Sequence, residues 1–316
     1  MPGSKDVWVM EVTHTSSTHP DLIPHAPLAR FTTIRVGGNA DWLAETGSAR
    51  AVTAALAWAR DAGVPVAIVG KGSNLLVDDA GFRGLVIRLR GRLEGISVRG
   101  EHLWCGGGAS LPRAVLRAAG VGLTGLEFGA SIPGTVGGAV AMNAGAYEGE
   151  LKDVLEWAVI CSADGRRRVG LDELLFGYRS SAIRPFEVVA MVAFWLRPGD
   201  PRAIKATLAD FRRHRRATQP QGARTFGSVF ANPEGDSSGR LLEAAGCKGL
   251  AIGGARFSPV HANFIEASPG CSSADVLALM SEGRRRVLAA GGPVLATEVR
   301  YLDPVHGIGT PPLEAL

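Results

Sequence analysis

The sequence contains few cysteines and no closely spaced set of metal ligands. Its four cysteines, Cys105, Cys161, Cys247 and Cys271, lie far apart, and its seven histidines form no HExxH motif or other paired spacing. Structural zinc sites and disulfide frameworks depend on such spacings, so we expect neither a metal site nor disulfide bonds. Isolated cysteines are typical of a reducing compartment, which indicates the cytoplasm.

The sequence also lacks a long apolar segment. Its longest apolar run, residues 188–196, is too short for a membrane-spanning helix. Residues 1–28 are polar, contain proline and histidine, and have no apolar core of the kind found in signal peptides. We therefore expect a soluble cytoplasmic protein without a membrane partner, in which residues 1–28 form a flexible N-terminal extension.

A strong excess of charge of one sign is absent as well. The formal net charge is +4 and the isoelectric point is about 9.1, which mildly favours anionic ligands. The densest basic run, residues 212–216, follows a helical pattern and has no interleaved aromatic residues. This pattern is typical of a solvated helix end or a local phosphate site, so we expect no nucleic-acid partner.

Glycine, in contrast, is abundant, and it is concentrated in one stretch. Six of the 42 glycines fall in residues 125–147, among small and hydroxyl-bearing residues. Such a run indicates backbone laid against a ligand, with N–H groups free to donate to phosphate oxygens. The additional donors Ser131, Thr135 and Asn143 favour this interpretation over a tight turn between core strands.

A second glycine-rich loop, residues 70–75, follows a short apolar run at 66–69. A strand followed by Gly-x-Gly suggests a dinucleotide-binding fingerprint. However, the third glycine position holds Leu75, and residues 75–77 have the pattern of a strand instead of a helix start. We therefore expect a phosphate contact here, but not a doubly wound nucleotide-binding fold.

Apolar periodicity and turn residues predict a mixture of helices and strands. Helices are expected at 49–62, 111–119, around 204–211, around 241–245 and at 273–290. Strands are expected at 31–36, 66–69, 75–77, 85–89, twice within 94–109, and at 154–162, 188–196, 227–233 and 294–302.

Seven short motifs stand in the order in which one known family has them. They are TIRVGG (33–38), GSNLL (72–76), GASIPGTVGG (129–138), NAGAY (143–147), YRSS (178–181), GSVF (227–230) and TEVR (297–300). The chain thus resembles, from about residue 31 to 302, the UDP-N-acetylenolpyruvoylglucosamine reductases, FAD enzymes of peptidoglycan precursor synthesis. The short spacing between Arg179 and Ser228 is similar to the subtype that lacks an extra tyrosine-bearing loop.

The resemblance implies an α+β fold with two parts. These are a two-part FAD-binding module of the vanillyl-alcohol-oxidase (PCMH) type and a C-terminal α+β substrate-binding domain. The expected boundaries are 1–28 for the extension, 29–88 and 89–200 for the two FAD-binding subdomains, 201–305 for the substrate-binding domain and 306–316 for a C-terminal tail.

The resemblance also implies non-covalent FAD, held mainly in the two glycine-rich loops. The expected cofactor-binding residues are Arg35, Gly70, Gly72, Ser73, Asn74, Leu75, Ser131, Ile132, Pro133, Gly134, Thr135, Gly137, Gly138, Asn143 and Gly145. NADPH is the implied hydride donor to FAD, and the flavin in turn reduces the enolpyruvyl group of UDP-N-acetylglucosamine enolpyruvate to give UDP-N-acetylmuramate. No metal is implied, and a monomer is favoured.

Three residues match the family's catalytic positions. Arg179 would hold the substrate carboxylate, since a guanidinium can bind a carboxylate through two parallel hydrogen bonds. Ser228 would donate a proton to carbon, and Glu298 would stabilise the enol or enolate together with Arg179.

The substrate contacts are expected at Tyr178, Arg213 and Asn232. Many members of the family have a lysine where this chain has Ala231, between the phenylalanine and asparagine of the serine motif. Arg213, Arg216 and Arg224 are the candidates for the missing positive charge.

Two alternative functions remain open at this point. One is a sugar or alcohol oxidase on the same FAD module, which would re-oxidise with air and ignore the UDP-sugar. The other is a flavin or UDP-sugar binding protein without catalysis, for which Ala231 is the one indication and against which the intact set Arg179, Ser228 and Glu298 argues.

The absence of a histidine or cysteine in the two glycine-rich loops predicts that FAD is not covalently attached. Purified protein should be yellow, and acid precipitation should release all of the flavin into the supernatant. The measurement is the flavin absorbance of the supernatant and of the washed pellet. Flavin that stays with the pellet would contradict the prediction.

Overall fold

The computed structural model of the protein describes residues 20–313, which form three units of mixed α and β structure. The first unit is a four-stranded sheet in the order β1-β2-β5-β3, in which β2 and β3 run parallel to β5. Its elements are β1 (Ile23–Pro27), a 3₁₀ helix (Leu28–Phe31), β2 (Asn39–Thr46), α1 (Ala49–Asp61), β3 (Val66–Ile68), β4 (Leu75–Val77) and β5 (Phe82–Leu89).

Helix α1 shows how the sequence pattern produces this unit. Val52, Ala55, Leu56 and Ala59 recur at helical spacing and are all buried against the sheet. Ser48 begins the helix, and its hydroxyl accepts a hydrogen bond from the Ala51 N–H at 3.2 Å. The predicted helix at 49–62 is confirmed to within one residue.

The second unit is built on a five-stranded antiparallel sheet in the order β12-β11-β13-β7-β6. Its helices pack on this sheet and share one hydrophobic core with it. Its elements are 3₁₀ (Gly91–Glu94), β6 (Ile96–Arg99), β7 (His102–Gly106), α2 (Leu111–Ala119), β8 (Leu123–Thr124), 3₁₀ (Glu127–Ser131), α3 (Val136–Ala141), β9 (Gly145–Ala146), β10 (Gly149–Glu150), 3₁₀ (Leu151–Asp153), β11 (Leu155–Ser162), β12 (Gly165–Gly170), α4 (Leu171–Leu174), β13 (Val188–Trp195), β14 (Arg197–Pro198) and α5 (Pro201–Thr218).

The third unit is a three-stranded antiparallel sheet covered by two helices. Its elements are α6 (Ser238–Ala244), β15 (Ala251–Ile252), β16 (Ala255–Phe257), β17 (Ile265–Ala267), α7 (Ser273–Ala289), β18 (Arg300–Asp303) and β19 (Gly307–Gly309). Strand β18 pairs in parallel with β4, so the end of the chain returns to the first unit. No helix among residues 20–313 is both long enough and apolar enough to cross a membrane.

The two ends of the described chain are more ordered than the sequence predicted. Strand β1 pairs with β2, and Ala26 and Leu28 are each only 1% exposed, so residues 23–28 do not belong to a flexible extension. The rest of the predicted extension, residues 1–19, lies outside the described residues. In the predicted tail, residues 307–309 form β19, and residues 314–316 are outside the described part.

Three further expectations need correction. Residues 31–36 form no strand: Phe31 ends the 3₁₀ helix, residues 32–34 are bends, and Arg35 has a left-handed backbone with φ of 65°. Helix α5 belongs to the second unit, since its Ile204 and Leu208 are buried in that core, and the predicted boundary at 201 therefore moves beyond residue 218. The last strand begins at Arg300, and residues 294–299 precede it.

A substitution at Leu28 tests whether residues 23–28 are packed on the first unit or form a flexible extension. Leu28→Ala should lower the free energy of unfolding by about 2–5 kcal/mol, because it removes a fully buried side chain from the core. Ile23→Ala is the matched control, since Ile23 lies on β1, directly before the helix that begins at Leu28, but is 43% exposed, and it should cost less than about 1 kcal/mol. Urea unfolding followed by circular dichroism measures both. Equal, small effects would mean that residues 23–28 are not packed.

Candidate active site

Loop 70–74, between β3 and β4, lies opposite the second glycine-rich segment. A Cβ atom placed on Gly70 would lie 2.4 Å from Thr135 Oγ1. A Cβ atom on Gly134 would lie 3.8 Å from Ser73 Oγ. The two segments that the sequence analysis assigned to the cofactor therefore face each other across the boundary between the first and second units.

The backbone of loop 70–74 is suited to binding phosphate. Among residues 20–313, none of its N–H groups has a hydrogen-bond acceptor. Its conformation is set at Gly72, which has φ of +59° and lies so close to the chain that an added Cβ would be 2.3 Å from Phe31 O. A row of unpaired N–H groups held in this way forms an anion-binding concavity.

The glycines of the second segment play a different part from the one expected. The N–H groups of Gly137 and Gly138 already donate to Gly107 O at 2.7 Å and to Thr135 Oγ1 at 3.3 Å. A Cβ atom on Gly137 would lie 2.9 Å from Gly107 O. Gly137 therefore permits close packing of α3 on the sheet, and the expectation that the 125–147 run offers free N–H groups is wrong for Gly137 and Gly138.

Two clefts open on either side of Lys71 and Arg88, which line both. The smaller, of about 170 Å³, is also lined by Gly70, Thr135 and Gly137. The larger, of about 440 Å³, adds the cations of Arg30 and Arg35.

Arg88 is the site residue that the sequence analysis missed. Burial lowers the pKa of its guanidinium, and its Nε atom is buried without a partner among residues 20–313. Its Cζ lies 4.0 Å from the centre of the Phe31 ring. A charged residue inside the apolar run 85–89 is the signal that could have revealed it.

These features fit FAD. Unpaired N–H groups of loop 70–74 suit a pyrophosphate, and Lys71 and the orphaned Arg88 Nε add positive charge beside them. We call the space between loop 70–74 and Thr135 the cradle. The close approaches at Gly70 and Gly72 leave no room for larger side chains, which would fill the cradle or displace loop 70–74. FAD would therefore be held between loop 70–74 and the start of α3.

Arg179 and Glu298, two of the three expected catalytic residues, are 119 residues apart in the sequence and contact each other in the structure. Arg179 Nε donates to Glu298 Oε1 at 3.0 Å, and Arg179 Nη2 donates to Gly145 O at 3.0 Å. Both side chains are largely buried, at 24% and 20% exposure. Arg179 has φ of 50°, a left-handed conformation that costs a non-glycine residue about 1–3 kcal/mol and that the surrounding contacts must impose.

Ser228 is placed next to Glu298 by backbone pairing. The Glu298 N–H donates to Val229 O at 2.9 Å, and Ser228 itself pairs with Phe264 on the other side. The Ser228 hydroxyl has no hydrogen-bond partner among residues 20–313 and is half-buried. It is therefore available to a ligand beside the Arg179–Glu298 pair.

Asn74 and Arg35, both assigned to the cofactor, make different contacts. Asn74 Nδ2 donates to Glu298 O at 3.1 Å, and the Arg300 N–H donates to Asn74 O at 3.1 Å. Asn74 thus ties the cradle loop to the segment that bears Glu298. Arg35 is exposed, donates to Arg30 O at 2.6 Å and lines the larger cleft.

The remaining expected cofactor residues are placed as follows. Asn143 is completely buried and its side-chain amide is fully hydrogen-bonded within the chain, while the Gly145 carbonyl is taken by Arg179. The Ser131 carbonyl accepts a hydrogen bond from Arg215. Ile132 packs on the core of the second unit, Pro133 is exposed, and Leu75 is buried at the start of β4.

Of the three expected substrate contacts, the structure brings one to the catalytic pair. The Tyr178 ring is 57% exposed, and its centre lies 4.9 Å from Arg179 Cζ. Arg213 is exposed and pairs with Asp210 on its own helix. Asn232 accepts a hydrogen bond from the Ser238 N–H at 3.1 Å, at the start of α6. The structure gives neither of these two a contact with the catalytic pair.

Comparison with known protein families agrees with this architecture. Residues 40–169 match the model of an FAD binding domain, and residues 219–302 match the model described as UDP-N-acetylenolpyruvoylglucosamine reductase, C-terminal domain. The second match begins directly after α5, where the structure also places the boundary. The predicted α+β fold, with a two-part FAD-binding module of the PCMH type, is confirmed.

Individual relatives are similar over most of the chain. A UDP-N-acetylenolpyruvoylglucosamine reductase of Anaeromyxobacter dehalogenans is 47% identical over 277 residues, covering 88% of this chain and 84% of the relative. One of Rubrobacter xylanophilus is 44% identical over 279 residues, covering 87% and 93%. The crystal structure of UDP-N-acetylenolpyruvylglucosamine reductase from Thermus caldophilus superposes with a TM-score of 0.77 at 36% identity, covering 89% of this chain and 98% of that one.

Gly72 and Gly63 provide a matched test of the cradle loop. Both have left-handed backbones, with φ of +59° and +66°, but a Cβ at Gly63 meets nothing within 4 Å, whereas one at Gly72 meets Phe31 O. Gly72→Ala should therefore weaken FAD binding by at least about tenfold, or ~1.4 kcal/mol. Gly63→Ala should lose stability but keep its FAD affinity. Quenching of flavin fluorescence on titration into FAD-free protein measures both, and equal affinities would show that loop 70–74 does not hold the cofactor.

Proposed function

The chain belongs to the UDP-N-acetylenolpyruvoylglucosamine reductase family, and on this basis we propose that Arg179, Ser228 and Glu298 carry out the reduction of the enolpyruvyl group. Membership makes the protein an FAD-containing oxidoreductase of peptidoglycan precursor synthesis. The observation that supports the proposed residues is the contact of Arg179 with Glu298 beside the backbone of Ser228.

Arg179 is suited to hold the carboxylate of the enolpyruvyl group. Two of its nitrogens are used by Glu298 and Gly145, and Nη1 has no partner among residues 20–313. The guanidinium is thereby fixed in place, with both N–H groups of Nη1 left for a ligand. A fixed cation stabilises the negative charge that develops on the substrate when hydride adds to the enolpyruvyl carbon.

Ser228 is the proposed proton donor. Bound FAD supplies the hydride that this chain's own residues cannot supply. The protein must then deliver a proton to the neighbouring carbon. The Ser228 hydroxyl is unpaired within residues 20–313, and the carbonyl of the adjacent Val229 accepts from the Glu298 N–H. The carboxylate of Glu298, held by Arg179, would accept a hydrogen bond from the enol form, and the Arg179 cation would offset the charge of the enolate form.

The proposed reductant is NADPH and the proposed substrate is UDP-N-acetylglucosamine enolpyruvate. Both are phosphate-rich, and four cations, Arg30, Arg35, Lys71 and Arg88, line the larger cleft beside the cradle. The four cysteines are free thiols, which supports a cytoplasmic location.

Ser228→Ala separates the two halves of the reaction. The variant should slow substrate reduction by about 10²–10⁴-fold, the usual contribution of general acid catalysis, because the proton donor is lost. Bleaching of the flavin by NADPH needs no proton on carbon, so its rate should stay near that of the wild type. Anaerobic stopped-flow absorbance measures each half-reaction.

Ser268→Ala is the matched control, because Ser268 is an exposed serine of the same unit whose hydroxyl bonds only to Gly254 O. It should leave both rates unchanged. If Ser228→Ala slows the NADPH step as much as the substrate step, Ser228 contacts the nicotinamide or supports the fold, and its proposed role is wrong.

A further inference from the structure

Arg179 lies in a two-residue turn, and its strained backbone must be stabilised by contacts from outside the turn. Gly177 and Ser180 exchange backbone hydrogen bonds at 3.1 and 3.3 Å, which leaves Tyr178 and Arg179 as the two residues of the turn. Arg179 there has φ of 50°, a conformation that a residue with a side chain rarely adopts. Contacts from outside the turn must therefore determine where the guanidinium points.

Asn143 supplies one of those contacts. Its Nδ2 donates to Gly177 O at 3.0 Å and to Glu150 Oε2 at 3.1 Å, and its Oδ1 accepts from the Lys152 N–H at 3.1 Å. The residue is completely buried. Both amide protons are thus used, so Asn143 has no donor left for a cofactor. Its side chain instead joins the end of α3 to the turn of Arg179.

A hairpin supplies the second contact. Strands β9 and β10 pair directly, which leaves Tyr147 and Glu148 as a two-residue loop, and both have left-handed φ, of 50° and 66°. Such turns normally contain asparagine and glycine. Here the Tyr147 ring stacks on Phe211 of α5, with ring centres 3.9 Å apart, and its hydroxyl donates to Phe211 O.

The carbonyl of Gly145, at the base of this hairpin, accepts from Arg179 Nη2. Glu150, at the opposite strand end, accepts from Asn143 and from Lys152 Nζ, the latter at 2.7 Å. The hydrogen bond from Lys152 lowers the pKa of Glu150, burial opposes this, and the Asn143 bond and the positive charge of Arg179 add to the lowering. Glu150 therefore remains an anion close enough to interact with the charge of Arg179.

We propose that Asn143 and Glu150 are positioning residues that lock the turn of Arg179 and hold its guanidinium against Glu298. They act through Arg179 and the Gly177 and Gly145 carbonyls, without touching substrate or cofactor. This inference rests on the role of Arg179 given under the proposed function. It assigns to Asn143 a task different from the cofactor contact that the family resemblance implied.

The test uses the FAD-bound enzyme and a double-mutant cycle. Asn143→Ala should keep its FAD, keep the rate of flavin bleaching by NADPH, and slow the substrate step by about 10–100-fold, the usual effect of displacing a reacting group by about 1 Å. In an Arg179→Ala background the same change should have almost no further effect, because the residue acts only through Arg179.

Glu150 variants test the same proposal independently, in case Asn143→Ala does not fold. Glu150→Ala removes the acceptor for Asn143 and should slow the substrate step as Asn143→Ala does. Glu150→Gln keeps an acceptor oxygen and should restore most of the rate. Glu148→Gln is the matched control on the same hairpin, since Glu148 is exposed, and it should change neither half-reaction.

The outcomes separate this inference from the proposed function. Loss of FAD or a slowed NADPH step in both Asn143→Ala and Glu150→Ala would overturn it in favour of a cofactor contact. Multiplicative effects of Asn143→Ala and Arg179→Ala on the substrate step would also overturn it. If Arg179→Ala alone leaves the substrate step unchanged, then it is the role of Arg179 itself that fails.

Discussion

The proposed FAD site depends on the N–H groups of loop 70–74, which the fold leaves unpaired among residues 20–313. Buried backbone N–H groups are normally paired within the chain, and in loop 70–74 four of the five residues are buried or half-buried, yet none of its N–H groups has an acceptor among residues 20–313. A bound anion would supply the missing acceptors. The loop is held in this state by contacts with all three units. Thr33 donates to Gly72 O at 3.1 Å, Thr135 packs on Gly70, and Asn74 bonds to Glu298 O at 3.1 Å.

This loop also explains why the third unit is needed for the site. Strand β18 continues from Glu298 and pairs in parallel with β4, which continues from the loop. The third unit's core takes in Ile34, Val36 and Leu76 from the first unit. Loop 70–74 and the segment that bears Glu298 therefore belong to one packed junction between the first and third units.

The catalytic pair joins this junction to the second unit. Arg179 comes from a turn of the second unit and Glu298 from the third, and the two meet at 3.0 Å in a largely buried position. A buried ion pair stabilises little by itself because both charges lose water. Its use here is to fix a cation and a carboxylate in one geometry, beside the unpaired hydroxyl of Ser228. Left-handed backbone at Arg179, Asn143 and Tyr147 shows that the chain accepts strain to keep it.

Much of the fold and of the site could be predicted from local patterns. Helix α1 follows from the spacing of Val52, Ala55, Leu56 and Ala59, and the ordered motifs identified the family. The same motifs proposed Arg179 and Glu298 as partners in one site, and the structure brings their side chains into contact. These features depend on neighbours in the sequence or on the order of short motifs. They require no knowledge of which distant segments meet.

The partners of individual groups were decided only by tertiary structure. Residue type establishes that Asn74 and Asn143 can donate two hydrogen bonds, but their acceptors, Glu298 O and Gly177 O, lie 224 and 34 residues away. The glycines of 125–147 looked like free N–H donors, yet Gly137 donates to Gly107 O because α3 packs against that loop. The sequence determined which residues are chemically able to build the site. Long-range packing determined which of their donors remain free, because a hydrogen bond forms with whatever acceptor the fold brings within reach.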